Sequence, residues 1–184
     1  MGYRYELRFS GSGGQGMILA GIIMAEAACI YEDKMAVQSQ SYGPESRGGA
    51  SKSEVVISDE PIDYPKATQI DCMLALTQEA CSKYYKDIKK DGILLVDTEM
   101  VTEVPQGDFK VYQAPIIESA RDVFGKTIVA NIISLGMITE LTGVVSKEAI
   151  EKAVLSRVPE AFKDLNRKAL HFGFEKAQEL KEKE

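Results

Sequence analysis

Apolar and polar residues alternate over residues 3–10, with Tyr3, Tyr5, Leu7 and Phe9 on one side, which is the two-residue period of a strand. Residues 11–16 form a glycine-rich turn, and residues 17–31 are apolar, rich in alanine and of helical length. Further strands are predicted at residues 35–40, 51–58, 70–76, 92–96 and 109–113. The 70–76 segment is apolar nearly throughout, as suits a strand covered on both faces. A charged helix is predicted at residues 79–90, a loop at 41–50 and turn-like chain at 59–65.

Beyond residue 113 the period changes. A short helix is predicted at 115–124 with Pro115 near its start, then one at 127–141 carrying Ile128, Ile132, Leu135 and Ile138, with Gly143 as its stop. Ser146 is placed to cap the following helix and Pro159 to occupy the first turn of the last one, whose apolar stripe reads Phe162, Leu165, Ala169 and Phe172. The tail, residues 175–184, is of mixed charge and reads as a solvated helix end. Strands alternating with helices, followed by a helical C-terminal third, predict an α/β fold in three layers, Rossmann-like, with a largely parallel sheet and right-handed crossovers. At 184 residues, with no linker or repeat, residues 1–184 are expected to form a single domain.

Charge narrows the function. With 22 Lys and Arg against 28 Asp and Glu, the net charge is −6, which argues against a nucleic-acid partner. No stretch of about 20 apolar residues could span a bilayer, and the N-terminal residues lack a secretion signal, so no membrane and a cytoplasmic location are expected. The cysteines Cys29, Cys72 and Cys81 share no C-x-x-C spacing, so no metal or iron–sulfur site is expected of this chain alone. The only histidine, His171, lies among Leu170, Phe172 and Phe174 and reads as a packed or half-exposed helix residue rather than a catalytic base. No catalytic residue is assigned.

Two segments carry the candidate chemistry. Gly11, Gly13 and Gly16 match G-x-G-x-x-G after a strand and before a helix, a setting in which backbone approaches a ligand closely and a helix N-terminus offers free amides to an anion. A dinucleotide site also needs an acid at the end of the second strand, about 20 residues on. Asp33 precedes that strand, and the strand's end carries Gln38, Ser39 and Gln40; Gly14 and Gln15 also depart from the usual fingerprint. Dinucleotide binding, general phosphate binding and a tight turn approached by another surface all stay open. The second segment packs Ser41, Tyr42, Gly43, Pro44, Glu45, Ser46, Arg47, Gly48, Gly49 and Ala50 into ten residues. Arg47 is suited to hold a carboxylate or phosphate, or to pair with Glu45 and shape an interface loop. In a parallel sheet both segments fall at the carboxyl edge, where ligands bind.

Gly11-Ser-Gly-Gly-Gln-Gly16, then Gln40-Ser-Tyr-Gly-Pro-Glu-Ser-Arg-Gly-Gly49, then the run SEVVISDEP from Ser53, together resemble the gamma subunit of 2-oxoacid:ferredoxin oxidoreductases. Asn131 with Gly136, and Asn166 with Ala169 and Gly173, are similar to that family's helical C-terminal pattern. The loop form resembles the 2-oxoglutarate and branched-chain members most. The resemblance implies a subunit of a complex that oxidatively decarboxylates a 2-oxoacid, 2-oxoglutarate favoured, to an acyl-coenzyme A and reduces ferredoxin. It implies alpha and beta partners holding thiamine diphosphate and magnesium, and a ferredoxin-like delta subunit or domain holding iron–sulfur clusters. This chain would bind no cofactor alone, would pack on the thiamine-diphosphate core and would help form the region where coenzyme A, the co-substrate, enters. Its candidate cofactor or interface residues are Gly11, Gly13, Gly14, Gln15, Gly16, Ser41, Tyr42, Gly43, Pro44, Glu45, Arg47, Gly48 and Gly49. Isolated, such a chain is expected to expose an apolar or mixed patch, with a homodimer through that patch open to it. The competing expectation is a stand-alone nucleotide-binding α/β domain working through the 11–16 turn.

Overall fold

The computed structural model describes residues 2–41 and 49–184. Strand β1 (Arg4–Ser12) leads into helix α1 (Met17–Tyr31), then the pair β2 (Met35–Ser41) and β3 (Ala50–Ser58). Strand β4 (Ile70–Ala75), helix α2 (Gln78–Tyr84), a 3-10 turn, β5 (Ile88–Asp97) and β6 (Lys110–Ala114) follow. The chain ends in α3 (Ile116–Phe124), α4 (Ala130–Thr142), α5 (Lys147–Arg157) and α6 (Lys163–Lys181).

The sheet runs in the order β2-β3-β1-β4-β5-β6. Strands β1, β4, β5 and β6 are parallel, while β3 is antiparallel to both of its neighbours, β1 and β2. Alternation along β1 divides the layers. Leu7 and Phe9 join the core beneath α1, α4, α5 and α6, whereas Arg8 and Ser10 face the thinner layer of α2 and the 98–109 segment. Arg8 is buried and anchors that layer. Its guanidinium donates to the Tyr84 carbonyl at 3.0 Å, where α2 ends, and pairs with Asp87 at 2.7 Å and Glu54 at 3.0 Å. The helical layer is drawn together where α4 and α6 cross at glycine. A Cβ on Gly136 would run into the Leu170 carbonyl, and one on Gly173 into the Ile133 carbonyl.

Four details depart from the sequence expectation. Strand β1 continues through Gly11 and Ser12, because these pair with Ser51 and Ala50, and so the turn proper begins at Gly13. The charged 79–90 segment is helical only to Tyr84. Ile88 is drawn into the sheet opposite Ile70, Lys89 to Asp91 stay exposed, and Asp91 takes φ 64° before Gly92, where a Cβ would press on the Lys89 and Asp71 carbonyls. Pro159 precedes a short turn rather than opening α6. The buried stripe of α6 is Asn166, Ala169, Leu170, Gly173, Phe174 and Ala177, with Phe162 left exposed, because the glycine crossing sets which face meets α4. The expected caps hold elsewhere: the Ser146 hydroxyl accepts the Ala149 N–H at 3.1 Å, and Gly143 ends α4 at φ 62°.

Candidate functional site

The carboxyl rim of the sheet holds the first glycine-rich turn and the described ends, Ser41 and Gly49, of the second segment. Strand β3 lies antiparallel between β1 and β2, so two reversals bring the end of β2 to the same edge as the end of β1. Ser12 pairs with Ala50 at that edge, and Ser41 pairs with Lys52. Ser41 is exposed and Gly49 half-buried beside it. Tyr42, Gly43, Pro44, Glu45, Ser46, Arg47 and Gly48 lie outside the described residues. Helix α2 braces the start of β3: Glu79 Oε1 accepts the Ala50 N–H and the Tyr84 hydroxyl donates to the Ala50 carbonyl, both at 3.4 Å.

Within the turn each glycine has its own reason. Gln15 folds back so that its Oε1 accepts the Ser12 N–H at 2.8 Å, and this occupies the space a Gly11 side chain would need. Gly14 and Gly16 adopt φ 87° and 78°, a region that side chains disfavour. A Cβ on Gly16 would also meet the Asn131 amide, which donates to the Gly16 carbonyl at 3.4 Å. Gly13 differs, because among the described residues nothing lies near where its Cβ would point. Packing among those residues leaves position 13 free and its backbone exposed.

The turn forms one wall of a cleft of about 370 Å³ lined by Gly14, Gln15, Met100, Ile117, Thr127, Ile128 and Ala130. None of these side chains ionises. Through Ile128 the cleft adjoins an apolar groove of about 270 Å³ bounded by Leu19, Ile23, Ile132, Phe162 and Leu165 among others. Leu19, Met100, Ile128 and Phe162 are exposed along this run. The cleft offers backbone and apolar surface, and among the described residues the ionisable side chain on the groove is Lys126, whose ammonium lies over the Phe162 ring at 4.7 Å.

The thiols contribute no chemistry here. Cys72 and Cys81 are buried, and desolvation pushes them up to about 12 and about 11, while Cys29 is exposed on α1. Among the described residues no group of three or more His, Cys, Asp or Glu side chains is placed to hold a metal ion. His171 sits exposed on α6, bonded to Glu151 at 2.8 Å. Among the described residues no helix is long and apolar enough to cross a membrane.

The stand-alone dinucleotide expectation fails on topology. In that arrangement the second strand lies beside the first, and an acid at its tip reaches the ribose. Here β3 intervenes, moving the tip of β2 two strand spacings, roughly 10 Å, from β1. The tip carries Gln40 and Ser41. Sequence reasoning passed over Asp97, which ends β5 at the rim, although an acid closing the otherwise apolar run 93–97 was a signal for it. Asn131 was singled out only as part of a helical pattern, and its place behind Gly16 emerges from the fold.

Comparison with known proteins agrees over nearly the whole length. A family model described as pyruvate ferredoxin/flavodoxin oxidoreductase matches residues 6–176. The 2-oxoglutarate synthase subunit KorC of Methanocaldococcus jannaschii is 51% identical over 179 residues, 96% of each chain. The corresponding subunit of Methanothermobacter thermautotrophicus is 46% identical over 94% of each. The crystal structure of the keto/oxoacid ferredoxin oxidoreductase gamma subunit from Geobacter sulfurreducens superposes with a TM-score of 0.90 at 63% identity, covering 97% of this chain and 98% of that one.

Proposed function

The chain belongs to the pyruvate ferredoxin/flavodoxin oxidoreductase family, and from that footing we propose that residues 1–184 act as the gamma subunit of a multi-subunit 2-oxoacid:ferredoxin oxidoreductase. The complex oxidatively decarboxylates its 2-oxoacid, 2-oxoglutarate before pyruvate or branched-chain acids, to the acyl-coenzyme A and reduces ferredoxin. The observation that carries the reading is similarity, at 51% identity and over 96% of each chain, to a subunit of a 2-oxoglutarate synthase.

The rim's chemistry fits a subunit that binds without reacting. Its cleft has no ionisable lining, the two buried thiols are held protonated, and no metal-holding cluster is formed among the described residues. Thiamine diphosphate, magnesium and the iron–sulfur clusters, which supply the carbanion chemistry and electron path, are therefore assigned to alpha, beta and ferredoxin-like delta partners. This chain's part is to dock. Gly13 presents bare backbone, Met100 and Ile128 present apolar contact, and the start of α1 has neither a side-chain cap nor an acid in its first turn, leaving amides for an anionic group of coenzyme A. The flanks of the 42–48 loop reach the same rim, so Glu45 and Arg47 are included as contact residues.

The test is reconstitution. The partner subunits, with and without this chain, are assayed for coenzyme A-dependent reduction of ferredoxin by 2-oxoglutarate, pyruvate and 2-oxoisovalerate. Turnover restored by this chain, greatest with 2-oxoglutarate, supports the reading. Turnover by the isolated chain, or none gained on adding it, overturns it.

A further inference from the structure

Asp97 is fully buried at the end of β5, yet its partners are all backbone amides. Oδ1 accepts the N–H groups of Glu99 at 3.0 Å and Met100 at 2.8 Å, and Oδ2 accepts that of Ile117, in the first turn of α3, at 2.8 Å. Met100 and Ile117 also line the cleft that Gly14 and Gln15 line. One carboxylate therefore ties together two residues that share the cleft with the glycine turn. Gln78 extends the strap: its Oε1 accepts from Thr102 at 3.0 Å and Glu103 at 2.9 Å, and its Nε2 donates to the Glu103 carbonyl at 2.9 Å. Four amides between residues 99 and 103 are thus held by two side chains, while the Met100 side chain stays 41% exposed. An apolar group held out on a pinned loop loses little freedom on binding.

We propose that Asp97 is a positioning residue of the docking surface, fixing Met100 and Ile117 at the spacing at which the partner subunit is received in the cleft they share with the glycine turn. This rests on reading the rim as the subunit contact. Asp97 itself touches neither partner nor cofactor; both of its oxygens are turned inward to backbone.

Three substitutions test it. Asp97→Asn keeps the size but points an amide donor at one of the N–H groups the carboxylate accepts. Asp97→Ala removes both arms. Gln78→Ala removes the outer strap from a half-buried position without emptying the core. Each is measured for hydrogen exchange at residues 99–103 and 117, for unfolding of the isolated chain, and for affinity for the co-expressed partner subunits at a temperature where every variant is folded. Faster exchange with assembly weakened about tenfold for Asp97→Asn, and about threefold for Gln78→Ala, is expected. Unchanged exchange, or faster exchange with affinity within about twofold of wild type, overturns the proposal. If the Asp97 variants do not fold, Gln78→Ala decides on the same criterion. Gly13→Val is run alongside. If it alone weakens assembly, the rim stands and the role of Asp97 falls; if every variant assembles as wild type does, the reading of the rim falls with it.

Discussion

Gly13 and Gly16 stand three residues apart in one turn, and the structure gives opposite accounts of them. At Gly16 a side chain must adopt φ 78° and displace the Asn131 amide. The left-handed conformation costs about 1–2 kcal/mol, and losing the Asn131 bond costs about 1 more. Gly16→Ala should therefore destabilise the isolated chain by about 2–3 kcal/mol. At roughly 2–4 °C per kcal/mol for a chain of this size, its Tm falls by about 4–12 °C. At Gly13 the Cβ meets nothing, so Gly13→Ala should be neutral or stabilise by up to about 1 kcal/mol through the unfolded chain. Assembly reverses the order of severity, because Gly13→Val places two further methyl groups where a partner's surface would lie. Calorimetric melts of the isolated chains, with surface-immobilised partner subunits for binding, measure both quantities. A Gly13→Ala variant as unstable as Gly16→Ala, or a Gly13→Val variant that assembles normally, would refute the assignment of turn glycines to inward and outward roles.

Gly136→Ala should cost about 2–3 kcal/mol in denaturant unfolding despite alanine's better helix propensity, because the added methyl presses on Leu170 and on Gly173 Cα across the α4–α6 crossing; a neutral result would mean the helices can separate freely. Arg8→Met should cost about 2–3 kcal/mol, the low side of breaking a buried pair, because Asp87 can return to water and Lys52 still pairs with Glu54 at 2.7 Å; adding Glu54→Gln should recover part of the loss in a double-mutant cycle, and a single variant more stable than wild type would contradict this. Glu140 is held below its ordinary value of 4.5 by hydrogen bonds from Lys147 and Lys181. Its lowered value means the stabilisation is full above pH 4.5 and is lost as pH falls below it. Glu140→Gln should therefore lower stability by about 0.5–1 kcal/mol at pH 7 and have almost no effect at pH 3, and equal losses at both would place the effect in packing instead.

Much of the fold was legible because its signals are local. The 17–31 helix and the strands opening at Met35 and Ile70 follow from apolar run length and period alone. The errors fall where a distant partner decides. Gly11 and Ser12 read as turn residues until β3 offers Ser51 and Ala50 to pair with them. The charged segment after Gln78 reads as helix until Ile88 finds Ile70 and Arg8 takes the Tyr84 carbonyl. Phe162 and Phe172 outrank Leu170 and Phe174 in a stripe count, but the Gly136–Gly173 crossing rotates α6 so that the second pair is buried. The candidate site divides in the same way. Its glycines were visible in the turn, whereas Asp97 was hidden, because an acid at a strand tip can equally serve a substrate or clamp amides. Only the positions of Met100 and Ile117 decide between those roles.

That division has a consequence for how the subunit binds. The polar atoms nearest the glycine turn are engaged within the chain: Gln15 with Ser12, Asp97 with three amides, Gln78 with the 102–103 backbone. What remains for a partner in the cleft is backbone and apolar surface, with no ionisable lining among the described residues. Contacts of that kind are insensitive to screening, whereas rim charges make association fall with ionic strength. Raising salt from about 0.05 to about 0.5 M should then change the dissociation constant for the partner subunits by less than about threefold. Glu45 and Arg47 provide the contrast, since a contact dominated by them would weaken steeply over the same range. A steep loss that disappears in Arg47→Ala would move the binding energy from the cleft to the second loop and refute the apolar account of docking.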